Sequence, residues 1–147
     1  MTRRMTTALV ALVGLFVALY LWMYKAGVIG TLACGAGQCE TVQLSRWATL
    51  LQLPVAAWGV AFYAVVLLVA FLLVQDRWAG SRRLSLALLL LTGWGVLFSA
   101  WLTYLELFVI HAICRWCVVS AVIACVLFVL ALIDWRATRA SDSSLSA

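Results

Sequence analysis

The chain has 147 residues, 67% of them hydrophobic and 10% charged, with a mean hydropathy of +1.15. Soluble domains are roughly 45–50% apolar, so this composition cannot cover a protein with a water-facing surface, and most of the surface must face lipid. The net charge of +5 does not indicate a nucleic-acid partner, because the basic residues sit in short flanks between apolar runs, the pattern of membrane orientation.

Four apolar stretches follow in chain order, at residues 6–24, 54–74, 84–110 and 112–133. Each can cross a hydrocarbon core of about 30 Å, which takes about 20 helical residues. Helices are the expected form, because unpaired backbone groups in lipid cost several kcal/mol each and four strands cannot close a barrel. Pro54, the only proline, opens the second stretch, where a first helical turn tolerates it. The expected fold is therefore an all-α membrane protein, a single domain over residues 1–147 built as a four-transmembrane-helix bundle. The first stretch has a competing reading as a cleaved signal, since Arg3-Arg4 precede it, and Thr31-Leu32-Ala33-Cys34 faintly resembles a lipoprotein cleavage site. The length of the run and the three further spans favour the bundle.

Orientation follows from the basic residues. Arg3, Arg4, Arg77, Arg82, Arg83, Arg136 and Arg139 would lie on one side, and Lys25, Arg46 and Arg115 on the other. The richer side is expected to be cytoplasmic, with both termini and the 75–83 loop. The 25–53 loop and the short turn near His111 then lie outside. Within that outer loop, Val42, Leu44, Trp47, Leu50 and Leu51 form a rough apolar stripe. A short helix on the membrane surface suits it, and so does ordinary packing of a loop on the bundle. The Ser-rich tail, 140–147, is expected to be disordered.

The chemistry is carried by cysteines. Cys34 and Cys39 flank Gly35-Ala36-Gly37-Gln38, and Cys114-Arg115-Trp116-Cys117 opens the fourth span. Both pairs map to the same outer side. Taking Asp134 as the inner edge, helix rise puts Cys114 about 30 Å away at the outer boundary, Cys117 about 25 Å away, just inside the hydrocarbon, and Cys125 about 14 Å away near mid-bilayer. Cys114 can thus meet a thiol arriving from water and Cys117 a molecule dissolved in lipid. The two are i, i+3 neighbours, close enough to bridge. A first-turn position, with Arg115 adjacent, favours the thiolate. Low-pKa Cys-x-x-Cys thiols are suited to disulfide exchange. Cys125 has no partner and reads as a small buried apolar residue. Gly35 and Gly37 are expected to make the outer pair flexible, able to swing between a water-borne partner and the pair on the fourth span.

Two other readings of the cysteines are weaker. Inert bridges usually link distant segments, and a separation of five residues constrains the unfolded chain little. A four-Cys metal site is allowed by spacing but opposed by the oxidising side and the different depths, so no metal is expected.

These residues resemble the vitamin K epoxide reductase family over essentially the whole bundle. The resemblance rests on the pair Cys34…Cys39, then Ser45-Arg46-Trp47, Pro54, Trp58-Gly59, Phe62-Tyr63, and Cys114-x-x-Cys117. It implies a bundle around a quinone pocket, capped by the outer loop and a short surface helix. It also implies that Cys117 faces the quinone, that Cys114 exchanges with Cys39, and that Cys34 and Cys39 take electrons from a thioredoxin-like protein. Ser45 would help hold the loop over the pocket, although a helix N-cap or turn bond explains it equally. The vertebrate enzymes carry an asparagine and a tyrosine that hydrogen-bond the naphthoquinone; here those positions are Val55 and Ala121, which cannot donate. This favours plain quinone reduction coupled to disulfide formation, as in bacterial homologues, with ubiquinone, menaquinone or a vitamin K type as the acceptor. Some bacterial members are fused to a thioredoxin-like domain; these residues contain none, so the expected partner is a separate chain on the extracytoplasmic side of a bacterial inner membrane.

Glu106 and His111 could relay protons, but the expected place for both is the solvated membrane interface. Trp47, Trp58, Trp94, Trp101 and Trp116 are candidates for a flat apolar pocket wall, and Trp78 and Trp135 for interface anchors. Thr92, Gly93, Gly95, Ser99 and Ala100 read as a close-packing face. The competing functions are a quinone-dependent thiol oxidoreductase, a vitamin K epoxide reductase using the same relay, and a structural membrane protein with inert disulfides. No charge lies centrally in a span, which weakens a transporter reading.

Overall fold

The computed structural model describes residues 2–35 and 38–145, apart from the side chains of Asp142 and Leu145. The chain forms α1 (Thr2–Lys25), α2 (Cys39–Leu44), α3 (Val55–Val74), α4 (Arg82–Leu105) and α5 (Arg115–Leu145). All but α2 are long and apolar enough to cross a membrane, giving four candidate spans. Between α2 and α3 lie a 3-10 turn, Arg46–Ala48, and a two-stranded antiparallel ribbon of β1 (Thr49–Leu50) and β2 (Leu53–Pro54). Leu51 and Gln52 both have positive φ, 54° and 65°, the geometry of a tight hairpin turn that usually uses Asn-Gly. Non-glycine residues hold such angles at a cost of order 1–3 kcal/mol each.

The four long helices close a ring. The broad interfaces are α1 on α3 and α4 on α5, α1 also meets α5, and α3 on α4 is the thinnest of the four seams in the ring. Small residues set the close approaches. A Cβ on Gly14 would run into the Tyr63 ring, and one on Gly95 into the Phe62 ring, while Gly93 faces Phe128. Little apolar driving force exists between helices in lipid, so this packing is the main source of association.

Two boundaries differ from the expected spans. α4 ends in a π turn, Glu106–Ile110, closed by His111 at φ 55°. The fourth span therefore begins at Arg115 rather than 112, because the left-handed residue turns the chain and residues 112–114 form its corner. At the other end, α5 continues to Leu145, so residues 140–145 are helical rather than an unstructured tail; residues 146 and 147 lie outside the described residues. The serines that suggested disorder bond back along the helix. Ser141 Oγ donates to the Ala137 carbonyl, Ser143 to Ala140 and Ser144 to Ser141.

The end of the bundle rich in arginine is tied by one side-chain network. Arg4 Nε donates to Asp134 Oδ1 at 2.8 Å, and its Nη1 donates to the carbonyls of Leu73 and Ala79. Ser85 Oγ donates to the other Asp134 oxygen at 2.7 Å. A single guanidinium thus joins α1, the end of α3, the following loop and, through Asp134, α4 and α5. Trp135 lies between Arg82 and Arg139, at 5.4 and 5.7 Å, and Trp78 lies 5.8 Å from Arg77, as interface anchors do.

Arg4→Ala leaves the Asp134 carboxylate largely buried and unpaired. It is expected to cost about 2–4 kcal/mol, read as a lower unfolding temperature in detergent. Adding Asp134→Asn to Arg4→Ala removes the stranded charge and is expected to recover part of the loss; simple additivity would contradict the coupling.

Candidate active site

Opposite the arginine-rich end, the outer loop folds onto the bundle through its own apolar residues. Leu32, Cys34, Cys39 and Val42 are buried against Leu21, Ala56, Ala112 and Cys114, with Cys117 packed on the cluster. Both cysteine pairs therefore lie at one end of the molecule. Cys34 and Cys39 are joined by a disulfide, while Cys114 and Cys117 are free thiols.

The loop pair is docked, not loose. Ala33, before Cys34, is held on both sides of its peptide: its N–H donates to Tyr20 Oη at 2.9 Å, and its carbonyl accepts from Trp116 Nε1 at 3.2 Å. The Tyr20 and Trp116 rings meet edge to face at 5.2 Å. Lys25 Nζ donates to the Gln43 carbonyl and so fastens α2 to the end of α1. Cys34 is 6% exposed and Cys39 fully buried, so the expected free swing of this pair is absent in this state. Gly35 has φ 60°, a left-handed turn position that glycine takes without steric cost, and Gly37 lies outside the described residues.

The second pair is organised by the start of α5. Cys114 stands just before the helix. Its Sγ accepts the N–H of Cys117 at 3.4 Å, and its carbonyl accepts the N–H of Val118. The sulfur occupies the place of an N-cap oxygen, satisfying an amide the helix leaves orphaned. The Cys117 thiol, the largest influence, holds the Cys114 thiol below its ordinary pKa; the Cys117 amide assists, and burial and the Glu106 carboxylate oppose. Stabilisation from this depressed value is present above the ordinary thiol range and is lost as pH falls through the folded value. Cys114 is fully buried, so it does not face water as the depth estimate expected.

Cys117 sits one turn on and lines a cavity of about 460 Å³ between the helices below the outer loop. The wall is mostly apolar, and Trp58, Val65 and Trp94, which contribute to it, are also exposed on the outer face of the bundle. The cavity therefore reaches the lipid side where α3 and α4 touch least. Cavities of about 300–1,000 Å³ hold small ligands.

Most residues anticipated for a pocket line this cavity: Ser45, Val55, Trp58, Phe62, Tyr63 and Ala121, together with Trp47 and Trp94. Ser45 Oγ donates to the Val42 carbonyl at 2.7 Å, closing the end of α2 rather than capping the start of a helix. Trp58 Nε1 donates to the Leu50 carbonyl at 3.3 Å, tying the ribbon to α3. Tyr63 Oη donates to the Ser120 carbonyl at 2.8 Å, spanning α3 and α5. Trp116 and Trp101 are not in the wall; Trp116 clasps the loop instead. Cys125 is exposed on the outer face, not buried.

Of the polar wall residues that sequence did not single out for the pocket, Gln43 and Glu106 contact the inner cysteine pair. Gln43 is 6% exposed and its Nε2 lies 3.7 Å from Cys117 Sγ, in donor geometry. Its signal was present: Cys39, Val42 and Gln43 share one face at i, i+3, i+4. Glu106, expected at the solvated interface, is 5% exposed and lines the cavity. The π turn brings its carboxylate inward, where Oε2 accepts the Cys114 N–H at 3.1 Å. His111 stays exposed.

A four-span bundle with two cysteine pairs over a lipid-accessible cavity is the architecture of a membrane thiol oxidoreductase. The sequence pattern of the vitamin K epoxide reductase family matches residues 5–132, and the chain belongs to that family. No curated protein matches it. Membership makes it an integral membrane oxidoreductase of a quinone-linked, disulfide-handling kind.

Cys117→Ala removes the strongest influence on Cys114. Ultraviolet titration of the Cys114 thiolate is expected to move to higher pH in the reduced variant; an unmoved titration would show that the helix start alone sets it.

Proposed function

We propose that the chain is a quinone-dependent thiol–disulfide oxidoreductase that carries electrons from a thioredoxin-like protein to a membrane quinone. The observation that supports this best is the position of Cys117, which belongs both to the packed cysteine cluster and to the cavity wall. The cavity's size, apolar lining and lateral opening suit a ring with an isoprenoid tail. A bound quinone supplies an acceptor for two electrons and two protons.

The relay runs by thiolate attack through mixed disulfides. A partner dithiol reduces Cys34–Cys39 and leaves as a disulfide. Cys39 then attacks Cys114 of the oxidised inner pair. Collapse of that bond by Cys34 restores Cys34–Cys39 and leaves Cys114 and Cys117 as thiols. The inner pair finally gives its electrons to the quinone and closes again. The observed state, outer pair bridged and inner pair free, matches the point just before that last transfer. The basic residues favour a cytoplasmic arginine-rich end and an extracytoplasmic cysteine end, in a bacterial inner membrane.

A second reading is vitamin K epoxide reduction by the same relay. Val55 and Ala121 both line the cavity, and neither offers a hydrogen bond, which favours plain quinone reduction.

Purified protein in detergent is expected to couple oxidation of a thioredoxin-like dithiol to quinone reduction. Cys117→Ala should fold yet lose at least roughly 10³-fold in rate; unchanged turnover would contradict the relay. Cys39→Ser leaves Cys34 to trap the partner, and finding no adduct in any single-cysteine variant would favour inert bridges.

A further inference from the structure

Glu106 is a buried carboxylate with no cation partner among the described residues. Among the described residues the ion pair is Arg4–Asp134, at the far end of the bundle, and Glu106 is 5% exposed. Charge placed there is costly unless it is used. Its contacts are beside the reacting groups: Oε2 accepts the Cys114 N–H at 3.1 Å, and the side chain lines the same cavity as Cys117. Accepting one amide and ending α4 needs only a neutral oxygen. An ionisable group at that point adds the ability to change protonation beside the sulfurs.

We propose that Glu106 is the proton carrier of the inner dithiol. This rests on the quinone-reductase reading above. As Cys117 loses its S–H bond, Glu106 takes the proton; the Cys114 and Cys117 sulfurs together give up two electrons and form one S–S bond. Glu106 then hands its proton to an oxygen of the reduced quinone in the cavity. The second proton, shed earlier to water by the Cys114 thiolate, is returned from water to the other oxygen. One thiol, one thiolate, one quinone and one proton thus become one disulfide and one hydroquinone.

Among the described residues no other side chain is placed for this. The remaining titratable groups on the cavity wall are Cys117 itself and Tyr63 from α3. The Tyr63 hydroxyl is engaged by the Ser120 carbonyl and hydroxyl. From the α1 side, Lys25 is bound to the Gln43 carbonyl. His111 is exposed. From the corner before α5, Cys114 faces Glu106 through its amide.

Glu106→Gln keeps the oxygen that accepts the Cys114 N–H and removes the proton. The reduced variant, without quinone, is expected to form the Cys114 thiolate at lower pH by ultraviolet titration, because the neighbouring negative charge is gone. Its turnover should nevertheless fall about 10²-fold or more, and Glu106→Asp should restore part of it. More thiolate with less turnover is the signature of a lost proton carrier. Turnover of Glu106→Gln close to wild type would overturn the assignment, and so would loss of turnover together with loss of thiolate formation, which marks a purely positional role. Wild-type protein that reduces no quinone would instead overturn the reading beneath it, and this assignment with it.

Discussion

A helix that starts at the edge of a lipid environment must find partners for amides that water cannot satisfy. At the corner between α4 and α5 those partners are a carboxylate and a sulfur. Glu106 takes the Cys114 amide and Cys114 takes the Cys117 amide. The reactive sulfur is therefore part of the backbone's own hydrogen bonding. Its position is set by where α5 can begin, and the thiolate it favours is stabilised by the same contact. The π turn before it supplies the extra width that directs Glu106 inward.

The two ends of the bundle are built differently for related reasons. Arg4 gathers the arginine-rich end into one network with Asp134, Ser85 and two backbone carbonyls. Among the described residues the cysteine end has no such tie across α3 and α4, and the cavity opens there. A lipid-soluble molecule can thus approach Cys117 sideways without the outer loop moving. A water-borne partner cannot do the same for Cys34 or Cys39, which lie under the Tyr20–Trp116 clasp. Release of that clasp is the motion the proposed relay would require.

Much of this architecture could be read from residues. Four long apolar runs, one proline at a span start and a skewed arginine distribution lead to the bundle, and the family match confirms its class. The clustering of both cysteine pairs at one end follows from counting helix rise. What was not legible came from local backbone events. The left-handed His111 shifts the start of α5 past Cys114, so a first-turn cysteine became a cap. The π turn reverses the expected exposure of Glu106. Glycine content suggested a loose outer loop, but Tyr20, accepting from the Ala33 amide, and Trp116, donating to its carbonyl, hold it down from remote positions in sequence. Serines in the tail promised disorder and instead bond back to their own helix.

The proposed relay depends on direct passage of electrons between the two cysteine pairs. In a Cys34→Ser, Cys117→Ser variant only Cys39, Cys114 and the lipid-facing Cys125 remain. Mass spectrometry of the folded protein after mild oxidation should find Cys39 bonded to Cys114 in most molecules, formed without denaturant. If both sulfurs stay free, or bond only after unfolding, the pairs do not communicate and the relay does not exist.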